Sequence, residues 1–288
     1  MRHRKLIYFS LIGLLVLSLV LAFIIFYSGN NGLKVVFLDV GQGDAILIEK
    51  GQEQILIDGG SSGQILLEKL GKYVPFWDRK IEIVIATHPD ADHIGGFIDL
   101  MKVYQVGEIV DTQTQSESQL YKKYREMIDA KKIGEIEGVA GVNIRIGDDA
   151  EMKIVSPAEN YNSKEKDTNL NSITARLIFG ENSFLFTGDL PSDGESALMR
   201  SNFVLNSRVL KIGHHGSKYS TSEGFLKAVD PSDVIISVGA NNRYGHPTPE
   251  ILERLRNIGA NIFRTDENGD IVYECRNPQD KCAINPTK

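Results

Sequence analysis

The chain has 288 residues, 42% hydrophobic and 24% charged, enough to bury one large core or two small ones and too apolar for a disordered polymer. Its formal charge of −6 excludes a surface built to coat nucleic acid without regard to sequence. Without Arg2, Arg4 and Lys5, 29 basic side chains face 38 acidic ones, or −9, so any basic track is local to a site.

Met1 to Lys5 is basic, and Leu6 to Ser28 is an uncharged run of mainly Leu, Ile, Val and Phe. As a helix this run spans roughly 33 Å, enough to cross a bilayer. A cleavable signal peptide has an apolar core of only about 7–15 residues and a small-residue cleavage site. Here the run is longer and ends Phe-Ile-Ile-Phe-Tyr-Ser, which reads as an uncleaved single-pass anchor; cleavage, if any, would fall after Gly29 or Gly32. The next basic residue is Lys34, so the positive-inside rule puts the amino terminus in the cytoplasm and the body outside the cell membrane. The expected division is an anchor over 1–29, a linker over 30–33 and one folded domain over 34–288.

Lys34 to Val40, Ala45 to Glu49 and Gln54 to Asp58 are predicted strands separated by Gly-rich turns. A helix over Gly63 to Tyr73, a buried strand over Ile81 to Ala86 and a helix from near Gly95 follow. Beyond a strand near Ile109, the polar stretch Ser116 to Lys132 is predicted helical, either covering a site or decorating a sheet edge. Further strands are predicted around Ile144, Ile154, Thr174 and Leu185, then at Val209–Ile212, Val234–Val238, Asn261–Phe263 and Ile271–Tyr273. Helices are predicted from Ser192 and over Thr248 to Ile258. This alternation predicts two sheets between layers of helix. Cys275 and Cys282 lie in the last fourteen residues and would pair in an oxidising compartment.

Chemistry concentrates at strand ends. Thr87-His88-Pro89-Asp90-Ala91-Asp92-His93-Ile94-Gly95-Gly96 follows the strand at Ile81 to Ala86, with four metal-binding side chains, His88, Asp90, Asp92 and His93, in six residues. A single His-x-Asp would be a solvated acidic turn, but four such groups can serve two adjacent ions. Phe184-Leu185-Phe186-Thr187-Gly188-Asp189 is another apolar strand ending in a carboxylate, and Val209 to Ser217 ends in the pair His214-His215. His246, in Tyr244-Gly245-His246-Pro247, either starts a helix or reaches the same site. Five of the six histidines fall in three of these four segments.

These segments resemble the metallo-β-lactamase superfamily, and within it the hydrolase domain of ComEC-type DNA-uptake proteins. The resemblance covers about residues 34 to 275. It rests on Phe37 to Ala45, Leu56-Ile57-Asp58-Gly59-Gly60, His88 to Gly96, Asn169-Leu170-Asn171-Ser172, Phe186 to Asp189, His214 to Ser217 and Asn242 to Pro247. It implies an α/β fold, a four-layer αββα metallo-β-lactamase sandwich preceded by a single transmembrane helix, with two divalent metal ions at one edge of the sheets. It also implies that His88 and Asp90 serve one ion, that Asp92, His93 and His215 serve the other, that Asp189 bridges them, and that Asp58 organises the loop. From the residues alone either His214 or His215 could reach metal. Asp90 stands where a second histidine is commoner in the superfamily, and Asn171-Ser172 where many members carry another. Such an oxygen-rich site admits manganese as well as zinc.

Two ions about 3.5–4 Å apart can share a hydroxide that is nucleophilic at neutral pH, which suits phosphodiester hydrolysis. Lys211, Lys218, His214, His246 and Arg243 are candidate donors to the charged transition state, although a lysine taken alone is ordinarily solvated. His214, His246 and Lys218 are the catalytic candidates. The expected function is a membrane-anchored phosphodiesterase or nuclease acting on DNA or another phosphodiester, in competence and DNA uptake. One span leaves no room for a transport channel. Two alternatives stand beside it: a hydrolase of other phosphate esters, such as wall polymers or small molecules, and a non-catalytic envelope protein that binds nucleic acid. The second would be marked by lost ligands, and here they are intact.

Overall fold

The computed structural model describes residues 2–27 and 32–288, and the side chains of 4–21 and 32–288. Residues 30 and 31 of the expected linker, the end of the expected anchor and the Gly29 cleavage position lie outside the described residues. Helix α1 runs Arg2–Tyr27, and its described apolar side chains from Leu6 to Leu21 are all exposed. Among the described residues it is the one helix long and apolar enough to cross a membrane.

The body opens at Leu33, one residue before the expected boundary, with β1 (Leu33–Phe37), β2 (Ile46–Lys50), β3 (Glu53–Ile57), α2 (Gly63–Tyr73), β4 (Lys80–Ala86), α3 (Ala91–Ile94), α4 (Phe97–Val103) and β5 (Gln105–Asp111). Next come α5 (Gln119–Lys131), β6 (Gly134–Glu137), β7 (Asn143–Ile146), β8 (Ala150–Ser156), β9 (Thr174–Phe179), β10 (Asn182–Phe186) and α6 (Ser192–Met199). The chain closes with β11 (Val209–Lys211), α7 (Glu223–Val229), β12 (Asp233–Ile236), α8 (Pro249–Asn257), β13 (Asn261–Arg264), α9 (Thr265–Asn268), β14 (Ile271–Cys275) and β15 (Ala283–Pro286). Among the described residues, one sheet has the order β15-β14-β1-β2-β3-β4-β5-β6 and the other β13-β12-β11-β10-β9-β8-β7.

Period-two alternation sorts the side chains into layers. Phe37, Ile46, Ile48, Ile57 and Ile85 of the first sheet meet Phe184, Phe186, Val209 and Ile235 of the second between the sheets. The opposite face of the first sheet, with Val36, Leu47, Leu56 and Val84, is covered by Leu66 and Leu70 of α2, Phe97 and Leu100 of α4, and Tyr124 and Ile128 of α5. The outer face of the second, with Leu185, Leu210 and Val234, is covered by Leu198, Phe225, Leu226, Ile251 and Leu255 of α6, α7 and α8. The result is the expected αββα sandwich. Ser62, Ser118 and Ser222 cap α2, α5 and α7 with their side chains, each worth about 1 kcal/mol.

Three differences from the sequence reading have physical causes. The helix expected near Gly95 begins at Ala91, because the ligand-rich turn itself winds into α3 before a break at Gly95-Gly96. The short β6 and α7 escaped notice, as did β15, an edge strand of Ala-Ile-Asn-Pro held by pairing with β14 and by the Cys275–Cys282 disulfide. Finally, α5 is neither a lid nor edge decoration. It packs on α3 and α4, and its Tyr121 and Tyr124 line a small cavity with His88 and Pro89, so it backs the ligand turn from behind.

Candidate metal centre

Strands β3, β4 and β5 run parallel, as do β10, β11 and β12, so their carboxyl ends share one edge of the sandwich. Those ends carry Asp58, His88 to His93, Asp189 and His214-His215. Gly43 presses the preceding loop onto this edge: at φ 112°, a Cβ there would lie 1.9 Å from the Asp92 carbonyl oxygen. Asp44 follows it into the site, its amide donating to that carbonyl at 3.3 Å.

Proton accounting fixes the buried histidines. His93 donates Nδ1–H to Asp58 at 2.8 Å, and His215 donates Nδ1–H to the Ser237 carbonyl at 2.9 Å, since neither partner has a proton to give. The Thr87 hydroxyl donates to Asp58 at 2.7 Å, which spends its only hydrogen, so it accepts from His88 Nδ1–H at 3.0 Å. All three rings therefore turn Nε2 the same way. They meet Asp189 Oδ2 at 4.0 Å for His88, 3.4 Å for His93 and 3.4 Å for His215. Asp92 Oδ2 lies 3.4 Å from His215 Nε2.

Those three Nε2 atoms, with one oxygen each of Asp44 and Asp189, are buried and make no hydrogen bond. Buried polar atoms ordinarily find partners, because leaving one bare costs about 1–3 kcal/mol. Imidazole nitrogens and carboxylate oxygens facing one another are the donor set of a divalent cation, so the residues present fit the implied metals. Ligand-like groups converge in overlapping sets: His88, His93 and Asp189; Asp92, His93 and His215; Asp44, Asp189 and His215; and Asp44, Asp58 and His93.

Burial works against the charge on each of these groups, and for all but His88 the neighbours override it. Asp189 is held well below the usual carboxylate range by His215 and His93. Burial alone would lower His93 and His215, but Asp189 and Asp58 push the first well up, and Asp189, Asp44 and Asp92 push the second to about 9. His88 goes down through burial and its neighbour His93.

Residues 38–156 match the family model of the metallo-beta-lactamase superfamily. The chain carries a metallo-β-lactamase domain. In solved structures the fold is shared with the metallo-beta-lactamase fold protein YhfI from Bacillus subtilis, at a TM-score of 0.58 and 14% identity over 84% of this chain and 99% of that one. Among curated proteins, ComE operon protein 3 of Bacillus subtilis is 32% identical over 88% of this chain and 34% of its own length. Competence protein ComA of Neisseria gonorrhoeae is 29% identical over 85% and 32%. The chain thus spans about a third of the length of these ComEC-type relatives.

The metallo-β-lactamase domain brings His88, Asp92, His93, Asp189 and His215 together. Asp90 stands at the rim, 45% exposed in its side chain, 3.9 Å from His88 Nε2 and accepting from Thr168 Oγ1 at 2.8 Å. Of the histidine pair, His215 is the buried member, and His214 is partly exposed with Nε2 4.0 Å from Asp189. The His246 ring centroid lies 5.7 Å from that of His214, with Nδ1 buried and unpartnered. Lys218 is exposed over the Tyr219 ring, on the wall of an open pocket shared with Tyr244 and His246.

Two features went unread. Lys211 is not solvated: it is fully buried, paired with Asp44, and donates to the Gly188 carbonyl at 3.1 Å. The signal was strand alternation, which puts Lys211 on the inward face with Val209. Asp44, inside the Phe37 to Ala45 segment, had no role assigned to it, whereas a buried lysine demands an acid. Asn171, where other members carry a histidine, is buried and donates to Thr114 Oγ1 and the Asn162 carbonyl.

Proposed function

We propose that this domain is a metal-dependent phosphodiesterase acting on DNA or another phosphate diester, anchored in a membrane by α1. The observation that carries it is the convergence of three buried, unpartnered histidine nitrogens on one carboxylate, Asp189. In this reading His88 and Asp90 hold one ion, Asp92, His93 and His215 the other, and Asp189 is shared. Divalent ions bound there would neutralise phosphate oxygens and activate water at neutral pH. The carboxylate share of the set leaves manganese as acceptable as zinc.

The chain's own residues supply orientation and the rim. Asp58 and the Ser237 carbonyl hold the Nδ1–H of His93 and His215, so a cation taking the place of the Nε2 proton would meet a lone pair on each ring. Burial and the neighbouring His214 lower His246, which keeps it neutral near pH 7 and able to accept a proton or donate a hydrogen bond at the rim. His214, Lys218 and Arg243 surround the opening as donors to phosphate. Tyr219 and Tyr244, 68% and 51% exposed with Lys218 and Arg243 over their rings, suit stacked bases and tracked phosphates of an unpaired strand. The competence naming of a relative supports DNA as the diester.

Arg2, Arg4 and Lys5 before the span support a cytoplasmic amino terminus and an extracytoplasmic domain. The division into an anchor over 1–29 and a hydrolase over 34–288 belongs to the same proposal.

The test is hydrolysis of single-stranded DNA and of a chromogenic phosphodiester by the full chain in detergent, with manganese, zinc or chelator, beside Asp189→Ala. The expected result is metal-dependent cleavage of at least one substrate, abolished by the substitution. Bound metal without turnover of either substrate would overturn the phosphodiesterase reading and direct attention to wall polymers.

A further inference from the structure

The loop between α2 and β4 exposes Phe76 and Trp77 at 77% and 70%, with their rings edge to face at 4.8 Å. Isolated apolar residues on a surface need no explanation. Two adjacent large aromatics at a loop tip, followed after the half-buried Asp78 by exposed Arg79 and Lys80, make a different pattern. Aromatic rings with flanking cations are the composition of a membrane–water interface.

Topology places this loop. β3 and β4 are parallel and run from Glu53 and Lys80 toward the candidate metal centre. β1 is antiparallel to β2, and β2 to β3, so Leu33, where the chain from α1 enters the body, lies at the strand-start end too. Three strand spacings separate β1 from β4, about 14 Å across the sheet. From Tyr27 to Leu33 a fully extended chain reaches at most about 22 Å. With α1 in a bilayer, the end bearing Phe76 and Trp77 is therefore tethered close to the lipid surface. Val103, 45% exposed, stands at the same end, since α4 leads from the centre to the start of β5.

We propose that the Phe76-Trp77 loop is a second membrane contact, seated in the headgroup region of the lipid surface with Arg79 and Lys80 against anionic headgroups. The domain then stands on its strand-start end. β4 is about 20 Å long, so the candidate metal centre opens away from the membrane, toward substrate in the aqueous space. This inference rests on α1 spanning the membrane and is independent of the hydrolytic chemistry.

Trp77 is the single tryptophan of the sequence, so the native full chain reports its own geometry. The experiment reconstitutes it into vesicles of phosphatidylcholine and phosphatidylglycerol, with or without brominated acyl chains, and reads Trp77 emission while titrating aqueous iodide. The expected result is a severalfold loss of emission in brominated vesicles and several times weaker iodide quenching than in unfolded chain. Strong iodide quenching without a bromine effect would put the loop in water, and insensitivity to both would bury it against protein; either overturns the proposal. Release of the chain by an alkaline wash would overturn the spanning reading and this inference with it, leaving the hydrolase assay untouched.

Discussion

The Asp58 carboxylate accepts the Nδ1 proton of His93 at 2.8 Å and, through the Thr87 hydroxyl it also binds, fixes the ring of His88. One buried acid thus orients two of the three converging rings from behind. Replacing a group that orients metal-binding histidines costs about 10–100-fold in affinity. Asp58→Asn is expected to weaken manganese or zinc binding by that factor, and Thr87→Val by less, because His93 keeps its partner. Competition against a chromophoric chelator reads both, and unchanged affinity in Asp58→Asn would contradict the tautomer argument.

Lys211 and Asp44 form an ion pair with both side chains buried. Such a pair contributes little net stability, but removing one partner strands the other charge at a cost of about 3–5 kcal/mol. Lys211→Met should therefore lower the thermal midpoint strongly in chelator, and Asp44→Asn combined with Lys211→Met should recover at least half of that loss. A double variant as unstable as the sum of the singles would show that the two do not act as a pair.

Outside the candidate ligand set, Asp270 accepts from Lys69 at 2.6 Å, from the Asp39 amide at 2.8 Å and from the Tyr73 hydroxyl at 2.9 Å. Burial pushes its carboxyl up, but these donors together hold it below its ordinary value. A depressed folded value means that stability is present above the unfolded carboxylate value of about 3.9 and is lost as pH falls through the folded one. Asp270→Asn should destabilise by about 1–3 kcal/mol at neutral pH, and the gap should narrow below about pH 4. Thermal unfolding of both proteins across that range measures it, and a gap that widens in acid would reverse the sign.

Stacking on aromatic rings is worth about 1–3 kcal/mol per base. Tyr219→Ala with Tyr244→Ala should raise KM for single-stranded DNA by about tenfold or more and leave the chromogenic diester unchanged. Equal losses on both substrates would assign the rings to structure.

Much of the centre was readable because its groups punctuate apolar strands: Ile81 to Ala86 ends at His88, Phe184 to Phe186 at Asp189, and Val209 to Ile212 at the histidine pair. A chain that buries such strands must bring their ends to one edge. The choice between His214 and His215 was not readable, because adjacent residues in an irregular turn follow no periodicity; both have positive φ there. Lys211 was misjudged because composition favours solvated lysines, while the alternation that buries it emerges only once the face shared with Val209 is known to be interior. β15 carries almost no apolar signal of its own and depends on β14 and the disulfide.

The central claim is that the side chains around Asp189 hold two divalent ions. Metal content of the full chain, measured after saturation with manganese or zinc and removal of the excess, tests it most directly beside Asp189→Ala. The account predicts two ions per chain in the native protein and a clear deficit in the variant. No bound metal in the native protein, or the same content in both, would contradict it.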